Sequence, residues 1–432
     1  MKFRKPYSRV VLLLGSILMM LYLLGYIPVL DSRYRPSASA VYRPDEGEAF
    51  GEYIGQTRDR IEASLEAHFY SKQDWPFGPD YPIEKVVQMR APFELPPLAA
   101  DCGDDNDVEN RGFLLIHGLT DSPYLLSELA NSLKQKYPCS HVRSVLVPGH
   151  GTVPGDLLNV ELDDWRQVVR YGVQSFASLV DELYLVGYSS GSLLALDYFQ
   201  ENPEDGLISG FILLSPGFAA AEKSIALAPW LKYLVRWVSR GADADAAKYD
   251  SMPTNAAALF YNLTVKVSDS VRSELDRPVF MVMSGDDTTV DADYAAEFFC
   301  SRFGNDKRKL IWYRSLVTGT TPPVNCSGLQ IVDVAASDSR FISHSHVAIS
   351  MPPENEHYGL DGHYPVCSAY VEDPELLASC VDDDYETLYG EGNLRDENGR
   401  YQGKLLRRAT FNPHYREMLS AMTCFIDADC AD

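Results

Sequence analysis

Two hydrophobic periods alternate along the middle of the chain. Short continuous apolar runs at 112–116, 142–147, 183–186 and 208–214 suit strands covered on both faces. Between them, 125–133, 165–179 and 192–199 carry apolar residues three and four apart, the period of a helix with one buried face. The rhythm returns with strands at 278–283 and 309–313 and a helical 292–303 between them. Strands separated by helices predict an α/β fold, a mainly parallel sheet covered on both sides.

Around this core the pattern changes. Residues 31–46 mix Ser, Pro, Arg and Asp and read as a tether. A helical period places Ile54, Ile61, Leu65 and Phe69 on one face within 47–70, 83–98 reads as extended, and 101–110 as an acidic turn. Residues 219–277 interrupt the alternation with a mostly helical pattern, as an inserted cap would. In it Leu227, Trp230, Leu231, Leu234, Val235 and Val238 fall on one helical face, with Lys232 and Arg236 elsewhere. That face either packs onto its own domain, the reading we favour, or meets acyl chains or a bilayer surface. The division expected is a membrane segment at 1–31, a tether and arm at 32–100, a core at 101–218 and 278–351 split by the cap at 219–277, and a cysteine-containing extension at 352–432.

The N-terminus adds a location. Lys2, Arg4, Lys5 and Arg9 precede an apolar run at 10–30, long enough to span a bilayer as a helix. Basic residues on that side predict a cytoplasmic N-terminus and an exported, periplasmic or extracytoplasmic body. A cleaved signal peptide is the rival, with Ala38-Ser39-Ala40 as a cleavage site, but the run exceeds a usual signal core. Eight cysteines fit export and disulfides. Spacing does not fix the pairing but suggests the local pairs Cys300 with Cys326, Cys367 with Cys380 and Cys424 with Cys430, which would leave Cys102 for Cys139. Neither a CxxC nor zinc-finger histidine spacing occurs, so no metal or cofactor is expected. A net charge of -23 repels phosphate backbones and argues against nucleic acid as a partner.

The chemistry concentrates in a few motifs. Gly187-Tyr188-Ser189-Ser190-Gly191 fits G-x-S-x-G between a strand and a helix, where a strained turn exposes a nucleophilic Ser189. Ile116-His117-Gly118-Leu119-Thr120 ends an earlier strand. In such a fold the backbone N–H groups of Leu119 and Ser190 form the oxyanion hole, while His117 only shapes its loop. The acid should follow the strand at 278–283, where Asp287 is the choice and Asp286 the second. The histidine should come last in chain order, and His346 is better placed than His344, His357, His363 or His414.

These pieces, with Pro148-Gly149-His150-Gly151, Asp163-Asp164-Trp165 and Ser345-His346-Val347, resemble α/β-hydrolase carboxylesterases and monoacylglycerol-lipase-like enzymes over 110–350. The resemblance implies a Ser189/Asp287/His346 triad acting on acyl esters. The membrane segment, the long stretch before His346 and the tail beyond Met351 depart from the pattern. A peptidase or thioesterase on the same triad, or a non-catalytic envelope binding protein, remain open, because fold and triad do not name the leaving group.

Overall fold

The computed structural model describes residues 31–38, 41–69, 75–98, 102, 110–270, 275–334, 340–370, 373–382, 387–396 and 400–428, with Gly15 and Met20. The apolar run at 10–30 and most of the acidic turn therefore lie outside the described residues. Among those described, no helix is long and apolar enough to cross a membrane.

In chain order, α1 (Phe50–Phe69) and α2 (Ile83–Arg90) lead into the short strand β1 (Phe93–Leu95). Then come β2 (Arg111–Ile116), α3 (Ser127–Lys136), β3 (His141–Val145), α4 (Leu162–Gln174), β4 (Glu182–Tyr188), α5 (Ser190–Glu201) and β5 (Ile208–Leu214). The cap holds α6 (Ala228–Leu231), β6 (Trp237–Ser239), β7 (Met252–Pro253) and α7 (Thr254–Ser270). Next are β8 (Val279–Ser284), α8 (Ala292–Arg302), β9 (Arg308–Ser315) and β10 (Leu329–Val334). The tail adds α9 (Pro374–Val381), β11 (Leu388–Gly390), β12 (Arg400–Tyr401), β13 (Lys404–Arg408) and α10 (Tyr415–Asp427). The main sheet has eight strands in the order β1-β3-β2-β4-β5-β8-β9-β10. All its pairings are parallel except β1 against β3.

The central strands feed two cores. Leu114 and Ile116 of β2, Leu183 and Leu185 of β4, and Val279, Met281 and Met283 of β8 face one side, against α4, α5, α7 and α8. Phe113 and Leu115, Tyr184 and Val186, and Phe280 and Val282 face the other, against α2, α3 and α10. The period-2 alternation of a pleated strand thus supplies both layers from one apolar run. Helix α10 closes the second layer with Met418, Met422 and Phe425, so the end of the tail is part of the core.

Four expectations change. Residues 83–90 are helical, not extended. At the end of that helix Arg90 donates to the carbonyls of Gly151, Thr152, Asp245 and Ala246 and anchors it to the core. Strand β10 falls in the stretch read as a long loop; it is an edge strand, mostly exposed, and carries no two-sided apolar run. The cap face does not pack onto its own domain. Helix α6 stops after one turn and β6 pairs with β7, leaving Leu227, Trp230, Leu231, Leu234, Val235 and Val238 exposed.

The fourth change concerns the tether, whose first residues are docked. The Ser37 backbone N–H and hydroxyl both donate to Asp156, and Tyr34 Oη donates to Gly241 O at 2.8 Å. A methyl group on Gly155 would lie 2.2 Å from Arg35 O, so the arm crosses that glycine at backbone contact. Disulfides join Cys102–Cys139, Cys300–Cys326 and Cys367–Cys380 as the spacing suggests. Cys424 is bonded too, while Cys430 lies outside the described residues. Gly155→Ala should lift the arm without unfolding the core. Tryptic cleavage after Arg33 should speed up by about tenfold or more, as expected for a segment shifted toward its locally open state. An unchanged cleavage rate would contradict the packing described.

Candidate active site

The end of β4 sets the site. Ser189 sits between β4 and α5 with φ 52° and ψ -118°, a left-handed conformation that costs a non-glycine residue about 1–3 kcal/mol. Backbone contact on both sides holds it. Ser189 N–H donates to Leu214 O at 2.9 Å, and its carbonyl accepts from Gly217 N–H at 3.1 Å. A methyl on Gly191 would lie 2.0 Å from Ile116 O, and one on Gly187 2.4 Å from Ser192 Cα, so α5 rests directly on the ends of β2 and β4. Ser190 opens α5, where its N–H has no intrahelical acceptor.

His346 lies across from this turn, after β10, and 5% of its surface is exposed. Its Nε2 is 3.1 Å from Ser189 Oγ, and its Nδ1 is 2.6 Å from Asp287 Oδ2. The other oxygen of Asp287 accepts the backbone N–H groups of Thr289 and Val290 at 2.8 and 3.0 Å, which fixes the carboxylate's direction. Asp286 turns away. Its Oδ1 accepts the hydroxyls of Thr318 and Thr320, and burial raises its pKa. His344 stacks on Tyr313 and bonds Asn412, His357 bonds Asp245, His363 is partly exposed near Glu356, and His414 precedes α10. Of the five late histidines, only His346 approaches Ser189. A continuous relay of hydroxyl, imidazole and carboxylate can carry a proton from Ser189 Oγ to Nε2 while Asp287 holds Nδ1–H.

Two further imidazoles brace the loop of Leu119. His117 Nδ1 donates to Gly118 O at 2.8 Å, and its Nε2 accepts Val147 N–H at 2.9 Å, which is the loop-shaping role expected of it. His150 Nδ1 faces Val147 O at 2.9 Å, and its Nε2 accepts Thr120 N–H at 3.0 Å. Both must be neutral to accept, and burial keeps them so. His117 titrates well below the usual imidazole range, and His150 is pushed down to about 4. Nearby, burial pushes Asp121 up to about 6, partly offset by Lys248 and His346.

No sequence motif signals the tail's contribution. Glu391, fully buried, receives the His346 backbone N–H at 3.3 Å. It is held by Arg408 of β13, whose Nε and Nη2 donate to its two oxygens at 2.9 and 3.2 Å, while Nη2 also donates to Thr289 Oγ1. The tail thus touches both the histidine loop and the acid loop. His150, by contrast, had a usable signal: like His117 it follows a strand by a few residues, inside Pro148-Gly149-His150-Gly151.

A parallel sheet with a strained strand-to-helix serine and an imidazole–carboxylate pair at the strands' C-terminal ends defines a hydrolase architecture. A family model described as the alpha/beta hydrolase family matches residues 113–335, just over half of the chain, and the chain belongs to that family. Similar solved structures include that reported for LipS and LipT, two metagenome-derived lipolytic enzymes. That match has 18% identity and a TM-score of 0.45, covering 52% of this chain and 87% of that one. Others are a monoacylglycerol lipase from Paleococcus ferrophilus (17%, TM-score 0.40, covering 51% and 87%) and a soluble variant of monoglyceride lipase from Saccharomyces cerevisiae (18%, TM-score 0.40, covering 52% and 82%).

Two outcomes follow from this geometry. Unfolded histidine titrates near 6.5, whereas folded His150 gains its proton only near 4. Between those values the unfolded chain binds the extra proton, so this group's stability falls as pH drops. Urea unfolding at successive pH values in that window should show a slope flatter by about 1.4 kcal/mol per pH unit in His150→Asn than in the parent. Equal slopes would mean that His150 is not held neutral. Separately, Arg408→Ala leaves Glu391 buried without its cation and should cost about 2–3 kcal/mol of stability. It should also lower kcat for whatever substrate is turned over by a larger factor than it changes KM. Arg408→Lys should recover only part, since an ammonium does not form the two-pronged contact.

Proposed function

We propose that the protein is a membrane-anchored serine hydrolase that cleaves carboxylic esters through Ser189, His346 and Asp287 by way of an acyl-enzyme. One observation carries the reading: the relay of 3.1 Å from Ser189 Oγ to His346 Nε2 and 2.6 Å from His346 Nδ1 to Asp287 Oδ2. Ser189 Oγ attacks the ester carbonyl carbon as His346 Nε2 takes its proton. The carbonyl oxygen becomes an oxyanion, which the N–H groups of Leu119 and Ser190 receive. The C–O bond to the alcohol breaks, and the alcohol leaves with the proton from Nε2. Water then loses a proton to Nε2 and attacks the acyl carbon, which frees the acid and returns the proton to Ser189. Asp287 keeps the imidazole in the tautomer that accepts at Nε2. Choice of an ester rests on the likeness of the motifs to carboxylesterases. Anchoring rests on the apolar run at 10–30 behind Lys2, Arg4, Lys5 and Arg9. The disulfides agree with an exported body.

The test uses a fluorophosphonate probe and p-nitrophenyl esters, with circular dichroism to match folds. Ser189→Ala should lose labelling and nearly all hydrolysis, and His346→Ala should be comparably impaired. Asp287→Asn should lower turnover on the order of 10⁴-fold by presenting the wrong tautomer, whereas Asp286→Asn should stay within about tenfold because its carboxylate faces Thr318 and Thr320. A parent-level rate in Ser189→Ala would refute the mechanism. A dead Asp286→Asn beside an active Asp287→Asn would move the acid.

A further inference from the structure

Seven large apolar side chains crowd into one short stretch of the cap and face solvent. Trp230, Tyr233 and Leu234 are 77%, 80% and 78% exposed, and Leu227, Leu231, Val235 and Val238 surround them in sequence. Scattered exposed apolar residues need no explanation, but a contiguous patch marks a binding surface. Its charge is also unusual for this chain. Residues 223–242 contain Lys223, Lys232, Arg236 and Arg240 and no Asp or Glu, although the protein has 61 acidic residues against 38 basic. Aromatic and aliphatic side chains interleaved with cations are what an interfacial layer of anionic lipid recognises.

The arm supplies an independent geometric argument. The Tyr34 ring packs edge-on against Trp237 at 5.1 Å, and Tyr34 Oη donates to Gly241 O. The Arg33 guanidinium donates to Ala242 O at 2.6 Å. The chain that follows the apolar run is therefore pinned to the same stretch that displays the patch. Leu30 ends the run and precedes Tyr34 by four residues, which reach about 14 Å at full extension. A bilayer that holds residues 10–30 must then come within about 14 Å of Tyr34, whose ring contacts Trp237.

We propose that the cap face at 227–240 rests in the headgroup layer of the bilayer that holds residues 10–30, so that the substrate is an acyl ester resident in that bilayer. This inference rests on the anchoring proposed above. The cap is suited to pass such a substrate to Ser189. Ala221 N–H donates to Thr289 O in the acid loop, and Tyr249 N–H donates to Thr120 O beside Leu119. The segment between these two points bridges the acid and oxyanion sides of the site, and its outer surface is the patch.

The experiment uses the full chain reconstituted into phosphatidylcholine vesicles with a minority of phosphatidylglycerol, whose acyl chains are brominated near the headgroup. The difference in fluorescence between the parent and Trp230→Phe isolates the emission of Trp230. That emission should be quenched by the brominated lipid. The double variant Trp230→Ser/Leu234→Ser should hydrolyse a long-chain glyceride ester in the vesicles about tenfold more slowly, with hydrolysis of soluble p-nitrophenyl butyrate unchanged. Unquenched Trp230 emission in protein that alkaline carbonate cannot strip from the vesicles would overturn the docking and leave the anchor standing. Release by carbonate would overturn the anchor, and the docking argued from it would fall with it. Equal loss on both esters in the double variant would also overturn the docking, since it would mark damage to the site.

Discussion

One backbone reversal governs the site: the turn at Ser189, held in a left-handed conformation by the strand before it and the helix after it. That conformation is unfavourable for a serine in isolation. It persists because Gly187 and Gly191 let α5 settle against the ends of β2 and β4 with no side chain between them. The same contact does a second job. It brings the start of α5 beside the loop that follows β2, so the N–H of Ser190 and the loop of Leu119 share one small space. Close packing of backbone on backbone therefore fixes both the Ser189 side chain and the polar groups around it. The parallel order of the sheet delivers the acid and the imidazole to the same edge.

Around that turn the protein relies on imidazoles used as neutral hydrogen-bonding groups. His117 and His150 each receive one backbone N–H and give one N–H to a carbonyl, and so stitch the loop after β2 to the loop after β3. A lysine or arginine could only donate, and a carboxylate could only accept. A neutral imidazole does both across its ring, which suits a dry position between two loops. His346 has the same capacity, but one of its nitrogens faces a hydroxyl instead of a backbone amide. What sets His346 apart from the two bracing histidines is the partner, not the burial.

Much of this was legible in the residues. The strands β2, β4, β5, β8 and β9 announce themselves as apolar runs because both of their faces are covered. Ser189, Asp287 and His346 could be chosen from motif and chain order, and the geometry brings those three side chains together. What was hidden depended on distant contacts. Arg90 anchors the helix at 83–90 through carbonyls that lie far along the chain. Edge strand β10 has too little burial to shape its sequence. The cap face reads as a helix because its spacing is helical, yet one turn is all that forms, and its apolar side chains stay exposed. Glu391 and Arg408 sit in a tail whose local pattern carries no motif, and only the fold brings them beside His346.

The contacts at His346 also bear on how the protein is made. Its partners stand 157 residues away at Ser189, 59 at Asp287 and 45 at Glu391, and they lie on both sides of it in the chain. No short excised fragment could contain the relay and its brace together. During synthesis the turn carrying Ser189 emerges long before the residues that contact His346. Loop closures of this length are paid for in entropy before any contact rewards them, which places assembly of the site late in folding. The sheet is a scaffold that can form first, and the contacts of the site close only after residues on both sides of His346 are in place.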